Sequence, residues 1–315
     1  MQLPWLEGHV PLMLAPMQGL TNRAMRAVQH QIGRPDVLFT EFLRIKQATH
    51  HRISRNDRRE SAAQISDTPL VVQLIGHTAN SLAEAALMVQ DQGVQHININ
   101  MGCPFGRTTS GKTGGAMLSV PELLPECLAA VRKVVTGSFS VKLRAGYDNP
   151  EQIFELLPMF EGEGVDYLVL HPRTVVQKYE GYADHSITQR VVAATPLPII
   201  ANGDVVNAQQ GLDLLETSGA AGLMIGRGAI ADPLIFKRLR GQEPAQVSAA
   251  QKKRDACVYL NQVLVVYEEL FCGDQQVLGK LKGVVSCFAD PSLQHWVRRL
   301  RHCKTLPAFV AELED

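Results

Sequence analysis

A repeated rhythm constrains this chain more than any other feature of its sequence. Eight short apolar runs, each closing on a polar or glycine-rich loop and each followed by a helix-period stretch, fill roughly the first 240 of its 315 residues. The runs are 11–17 (PLMLAPM), 36–43 (DVLFTEFL), 69–76 (PLVVQLIG), 96–102 (HININMG), 139–146 (FSVKLRAG), 167–173 (YLVLHPR), 198–204 (PIIANGD) and 222–228 (GLMIGRG). Most begin with continuous apolar residues, the pattern of parallel strands buried on both faces. Between them, residues 80–92 set Leu82, Ala86 and Val89 on one helical stripe behind an Asn80 or Ser81 cap. Residues 150–163 place Pro150 at a first helical position, and 207–218 carry Leu212, Leu215 and Glu216 ahead of Gly219, a C-terminal stop. Eight strand–helix alternations of this length fit an α/β fold of the (β/α)8 TIM-barrel type; a doubly wound open sheet is the alternative. Past residue 242 the texture changes. GQEPAQVS reads as a linker, and helix-period stretches follow near 248–272, 274–288, 291–303 and 305–314. The expectation is a barrel over 1–242 and a small C-terminal helical domain over 243–315.

Bulk properties narrow the partners. With a formal net charge of zero, the chain has no global field to attract nucleic acid, so a polyanion needs a local basic face. Six cysteines stand at 103, 127, 257, 272, 287 and 303 with no C-x-x-C pair, which weakens metal and thioredoxin-type readings. The N-terminus lacks a basic start before a long apolar run, and no window of 18 apolar residues occurs. The expectation is a cytoplasmic protein with no metal and no membrane span, working as a monomer.

In a barrel, chemistry sits at the C-terminal ends of the strands. Here those ends carry Pro16-Met17-Gln18-Gly19, Thr40-Glu41, Gln73, Asn100-Met101-Gly102-Cys103-Pro104, Lys142 and Arg144, His171 and Arg173, Asn202-Gly203-Asp204 and Gly226-Arg227-Gly228. Any one of these could be a satisfied core group, but polar ends on all eight strands imply a polar cavity. The glycine turns after the last two strands, with Arg227, suit a phosphate. Lys142 suits the electron-rich side of an isoalloxazine, and Gln73 its polar edge. Cys103 lies between Gly102 and Pro104, ahead of a small-residue loop. An ordinary thiol, with a pKa near ~8.5, is mostly protonated at neutral pH and can act as a general acid. With a lowered pKa it would be a nucleophile instead. Residues 106–113 (GRTTSGKT) match the P-loop pattern at every position, yet Gly114-Gly115 follow at once and disfavour the helix a P-loop needs.

Taken together, LAPMQGLTN (14–22), TEF (40–42), VQLIG (72–76), NMGCP (100–104), GGAML (114–118), VKLRAG (141–146), LHPRT (170–174) with Gln177, Tyr179 and Gly181, ANGD (201–204) and IGRGA (225–229) resemble the tRNA-dihydrouridine synthases. That resemblance implies reduction of the 5,6 double bond of a tRNA uridine by FMN, itself re-reduced by NADPH. It casts Cys103 as the proton donor to C5, with hydride passing from flavin N5 to C6, and Asn100 as a contact of the target uracil. Gln73 and Lys142 would bind the isoalloxazine, Pro16 and Met17 would back it, and His171 would lie against the ring or its phosphate arm. Asn202, Gly203, Asp204, Gly226 and Arg227 would hold ribityl and phosphate; Arg144 and Arg173 would face substrate or support the residues that do. Departures are Pro172, Asp184-His185 and a loosely matched Gly279-Lys280-Leu281-Lys282. TEFLR (40–44) is most similar to the branch modifying tRNA position 16. Free-pyrimidine or dihydroorotate-type oxidoreduction, and RNA binding without catalysis, are the competing functions.

Two basic runs suit an RNA partner. Arg44, Lys46, Arg52, Arg55, Arg58 and Arg59 stand against Asp57 and Glu60, with His50 and His51 beside them. Arg298, Arg299, Arg301 and Lys304 occur with no acid, near Trp296. The helical domain is therefore expected to bind tRNA.

Overall fold

The computed structural model describes every residue except 1, 2, 4, 6, 7, 47–51, 66, 67, 106–111 and 315. Among the described residues nine parallel strands form one sheet: β1 (Leu12–Leu14), β2 (Val37–Phe39), β3 (Leu43–Arg44), β4 (Leu70–Ile75), β5 (His96–Met101), β6 (Ser138–Gly146), β7 (Tyr167–Thr174), β8 (Ile199–Asn202) and β9 (Gly222–Ile225). Pairing of β2 with β4, and of β1 with both β2 and β9, closes eight of them into a barrel. β3 lies outside that ring, paired with the end of β4. The expected second strand, 36–43, is thus two pieces. Thr40 keeps one ladder bond to Val71, and Glu41 then leaves the sheet to accept a hydrogen bond from the Gly19 amide.

All eight expected strands are present, and β4 is buried along its whole length, as its unbroken apolar run requires. Met13, Val37, Phe39, Val71, Tyr167, Val169, Ile200 and Met224 form a cluster contributed by strands round the ring. A larger layer between the outer face of the strands and the helices includes Leu82, Ala86 and Val89 of α3.

The helices are α1 (Arg23–Ile32), α2 (Arg55–Ala62), α3 (Ala79–Gln90), α4 (Leu124–Val134), α5 (Gln152–Gly162), α6 (His185–Ala194), α7 (Ala208–Ser218), the short α8 (Arg227–Ala231) and α9 (Ile235–Leu239), then α10 (Ala249–Leu270), α11 (Asp274–Val285), α12 (Gln294–His302) and α13 (Leu306–Glu314). Gly219 stops α7 at φ 66°, as expected. The buried face of α7 differs from expectation: Gly211 and Leu214 face inward while Leu212 is 40% exposed. The reason is closeness of packing, since a Cβ on Gly211 would come within 2.8 Å of Leu239. Pro150 lies in the turn before α5 rather than at its first helical position.

The last four helices enclose a core of their own, built from residues such as Tyr259, Val263, Leu281, Trp296 and Phe309. Met25 and Val28 of α1 complete it, and Met17 and Leu20 from the loop after β1 pack against it. The helical bundle therefore rests on the barrel next to the strand ends. Trp296 is buried there, its Nε1 donating to the Glu312 carbonyl, so it is not an exposed stacking surface.

Candidate active site

The C-terminal ends of the strands surround a cavity of about 690 Å³. Of the residues expected at a site, Pro16, Met17, Asn100, Cys103, Lys142, Arg144, His171, Asn202, Gly203, Asp204, Gly226 and Arg227 line it together. Gln73 and Arg173 do not line it. Gln73 is fully buried one layer below, bonded to Asn98 and Asn100.

Cys103 is fixed through its backbone. Its N–H donates to Asn100 Oδ1 at 3.0 Å, and its carbonyl accepts from Gly115 N at 3.0 Å. Gly114 and Gly115 press close: a Cβ on Gly115 would meet Val175 at 2.7 Å, and Gly114 has φ 59° with Cys103 Cβ 3.1 Å from a built Cβ. This accounts for the paired glycines. They open a 3-10 turn over Gly114–Ser119, and Thr113 before it is extended. Lys112-Thr113 consequently start no α-helix, and the rest of the P-loop-like string, 106–111, lies outside the described residues.

The opposite wall is cationic. Lys142 Nζ donates to Asn202 Oδ1 at 2.7 Å, and Asn202 Nδ2 donates to the Met224 carbonyl, which fixes the amide's orientation. Burial, and next the Arg144 guanidinium, push the Lys142 ammonium down to about 7. Arg144 donates to the carbonyls of Gly102, Thr174 and Lys178, tying β6 to the residue preceding Cys103. Tyr179 lies between two cations, with its ring centroid 5.2 Å from both Arg144 and Arg227. Phe105 approaches the same ring.

The Arg173 side chain is fully spent on the protein. Nε donates to Glu180 O, Nη1 to His171 Nε2 and Asp204 Oδ1, and Nη2 to Gly181 O and Asp204 Oδ2. Five N–H groups meet five acceptors, which leaves no donor for a substrate and corrects the expected substrate role. A guanidinium only donates, so His171 Nε2 is the acceptor and the ring carries its proton on Nδ1. Burial, then the charges of Lys142, Arg144 and Arg173, push His171 down to about 2, so it is a neutral donor. Asp204 adopts φ 55° and also receives Ala183 N. Burial raises its carboxyl, but the Arg173 and Ala183 hydrogen bonds outweigh that and hold it below the usual range. Asp184-His185 has a role here as well. Asp184 caps α6, and His185 Nε2 donates to Gly203 O at 3.0 Å, holding the turn after β8.

The residues suit a flavin. The cavity offers a cation in one wall, a neutral histidine donor and an exposed arginine beside a glycine turn. Gly226 is kept small because a Cβ there would meet Met17 Sδ at 3.2 Å. Among the described residues no group of three His, Cys, Asp or Glu side chains is placed to hold a metal ion, and no helix is long and apolar enough to cross a membrane.

The profile of the dihydrouridine synthase family matches residues 13–303. The chain belongs to the dihydrouridine synthase family. A probable tRNA-dihydrouridine synthase of Rhodobacter capsulatus is 35% identical over 227 residues, 71% of this chain and 68% of that protein. A tRNA-dihydrouridine(16) synthase of Haemophilus influenzae is 34% identical over 234 residues, 70% of this chain and 74% of that protein. Among solved structures, morphinone reductase matches with a TM-score of 0.56 at 13% identity, over 79% of this chain and 91% of that one, a likeness of fold. As a dihydrouridine synthase the chain is a flavin-dependent oxidoreductase that forms dihydrouridine in tRNA.

Sequence reasoning gave no role to several residues that line the cavity, Phe42, Asp57, Phe105 and Tyr179, and expected Arg44 only as part of a basic run for RNA. Tyr179 carried a signal, an aromatic in a glycine-flanked loop after a barrel strand. Asp57 carried none, because it enters from the N-terminal turn of α2.

Proposed function

We propose that this dihydrouridine synthase uses FMN, re-reduced by NADPH, and that Cys103 is the acid that protonates C5 of the target uracil. The observation that carries this is the placement of Cys103 and the wall of Lys142 and His171 around one cavity large enough for a flavin and a base. Pro16 and Met17 back the ring, Lys142 and His171 serve its polar edge, and Asn202, Gly203, Asp204, Gly226 and Arg227 hold ribityl and phosphate. When bound, the flavin supplies a hydride to C6. Cys103 holds the matching proton at Sγ and releases it to C5, so that hydride and proton together saturate the double bond. Asn100 and Arg144 bear on the base. Arg227 and Tyr179 present a cation and an exposed aromatic face at the cavity, a pairing suited to an extruded nucleotide.

The helical bundle, residues 243–315, acts as the tRNA-binding domain beside the FMN-binding barrel of 1–242, and the enzyme works as a cytoplasmic monomer. Arg298 and Arg301 are exposed on α12 away from its buried Trp296, Val297 and Leu300, while Arg299 pairs with Glu312. TEFLR and the name of the Haemophilus influenzae relative together favour position 16 as the target. The test is nucleoside mass spectrometry of tRNA from cells lacking this protein. Position 16 should lose dihydrouridine and regain it on complementation. Unaltered dihydrouridine throughout the tRNA pool would refute the reading.

A further inference from the structure

A chain of side-chain amides runs through the barrel core beneath Cys103, and its polarity is forced. Asn100 Oδ1 accepts the backbone N–H groups of Gly102 and Cys103 at 3.1 and 3.0 Å. A backbone N–H only donates, so the facing atom is the oxygen and the other is the amino group. That group donates to Gln73 Oε1 at 2.8 Å, which leaves Gln73 Nε2 to donate to Asn98 Oδ1 at 2.8 Å. Asn98 Nδ2 donates in turn to Ser140 Oγ at 2.8 Å, and the Ser140 hydroxyl donates to the Ile97 carbonyl at 3.5 Å. Gln73 pairs in register with Asn98, and Asn98 with Ser140, across β4, β5 and β6. All three are fully buried. The two backbone donors thus fix the orientation of all three amides.

Asn98 does not line the cavity. We propose that it is a positioning residue for uridine reduction: Asn98 holds Gln73, Gln73 holds Asn100, and Asn100 holds the backbone at Gly102 and Cys103. The relay also limits what Asn100 shows to a ligand. Its oxygen is occupied by two backbone donors, so the remaining Nδ2 hydrogen is what it offers. A lone donor suits a carbonyl edge, as in uracil, and opposes an exocyclic amino group, as in cytosine. This inference rests on the reading of Cys103 as the acid.

The test compares Asn98→Leu with Asn98→Asp. Leucine removes the acceptor for Gln73 Nε2, and the buried Gln73 amide then turns to find another, which withdraws Oε1 from Asn100. Aspartic acid, kept protonated by burial, offers its carbonyl oxygen to Gln73 and its O–H to Ser140 Oγ, which restores the relay. Two readouts are needed. Peptide-mapped alkylation by iodoacetamide, in flavin-free protein, reports the setting of Cys103. Stopped-flow reoxidation of reduced enzyme by tRNA, set beside reduction by NADPH, reports the chemistry. Asn98→Leu should change the Cys103 alkylation rate severalfold and slow tRNA-driven reoxidation about tenfold or more, up to the ~10²-fold typical of an ångström misplacement. Reduction by NADPH should not follow, and Asn98→Asp should recover both readouts. A folded Asn98→Leu protein with native alkylation and reoxidation overturns the proposal. So does an Asn98→Asp enzyme as slow as the leucine variant. Should Asn98→Leu not fold, Ser140→Ala carries the test with a smaller shift of the same sign, and no shift overturns the relay. Wild-type enzyme that reduces no tRNA uridine sinks the functional reading instead, and leaves the alkylation comparison to judge the relay alone.

Discussion

The two walls of the cavity, each taken with the buried residues behind it, solve the same problem in opposite ways. On the β4–β5 wall, Gln73, Asn98 and Asn100 are neutral and bury their polarity by pairing with one another, link by link. On the wall made by β6 to β9, Lys142, Arg144 and Arg173 are basic, and burial lowers the basicity of Lys142 and Arg144. Among the described residues Asp204 is the carboxylate hydrogen-bonded to this set, and Arg173 takes it. The neutral wall holds a proton donor in place with no charge of its own. The cationic wall, where one ammonium is pushed down to about 7, suits a group that becomes negative.

Replacing the thiol tests the neutral wall hardest. Cys103→Ala should slow tRNA-dependent reoxidation by about 10²–10⁴-fold, the usual worth of a positioned acid. Flavin binding and reduction by NADPH should persist, because the alanine keeps the backbone bonds to Asn100 and Gly115. Equal loss in both half-reactions would erase the division of labour between the walls.

Arg173 sharpens the comparison from the other side. Arg173→Met removes five hydrogen bonds and leaves Asp204 only the Ala183 N–H and the more distant charge of Arg227. Breaking a buried pair costs roughly 3–5 kcal/mol, and the partial solvent contact of Asp204 puts this one near the low end. A lowered denaturation midpoint in urea would show it. Nitrogen NMR of the His171 ring should show loss of the single Nδ1–H tautomer. A native tautomer in a folded variant would mean that Arg173 does not set it.

Much of this was legible in the sequence, and the failures have physical causes. The eight strands declared themselves because strands buried on both faces need unbroken apolar runs. β3 did not, because Leu43-Arg44 is one turn of ladder beyond a departure forced by Glu41, whose partner, the Gly19 amide, is distant in sequence. Cys103 was legible from its neighbours, whereas Asn98 looked like one more residue of a strand. What gives Asn98 a role is its register against Gln73 and Ser140, and register across three strands is not written in any one of them. Arg173 stood at a strand end like a ligand-binding residue; only its full set of bonds shows otherwise. Glu60, which in the sequence dilutes a basic run, is buried between Arg23 and Arg26.

Lys142 offers a quantitative test of the cationic wall. Its folded pKa is depressed from the ordinary lysine value, so the ammonium is present below about pH 7 and is lost as pH rises through it. Above pH 7, a group that gains negative charge beside it draws the proton back. Flavin reduction should therefore take up one more proton in wild-type enzyme than in Lys142→Met. For a two-electron couple each proton contributes about 30 mV per pH unit, a tenfold change in the equilibrium. The midpoint potential between pH 7.5 and 9 should thus be steeper in wild type by about that amount. Parallel slopes would show that Lys142 holds its charge unchanged and that burial on this wall is compensated by something else.

The smallest effect should come from a place belonging to neither wall. Arg298 and Arg301 lie on the exposed side of α12, remote in sequence from every strand end. If they meet phosphates, Arg298→Gln with Arg301→Gln should raise the tRNA KM severalfold at moderate salt. The slope of log affinity against log salt should fall by about 0.7–0.9 for each phosphate no longer neutralised. The rate at saturating tRNA should not follow, because backbone contacts position the polyanion without reaching the base. That outcome would keep binding and chemistry separate, with both cavity walls reserved for the flavin and the uracil. A fall in the saturated rate would instead couple the bundle to the cavity, and the path for it is visible: Met17 and Leu20 leave β1, flank the cavity and pack against the same core that α12 completes.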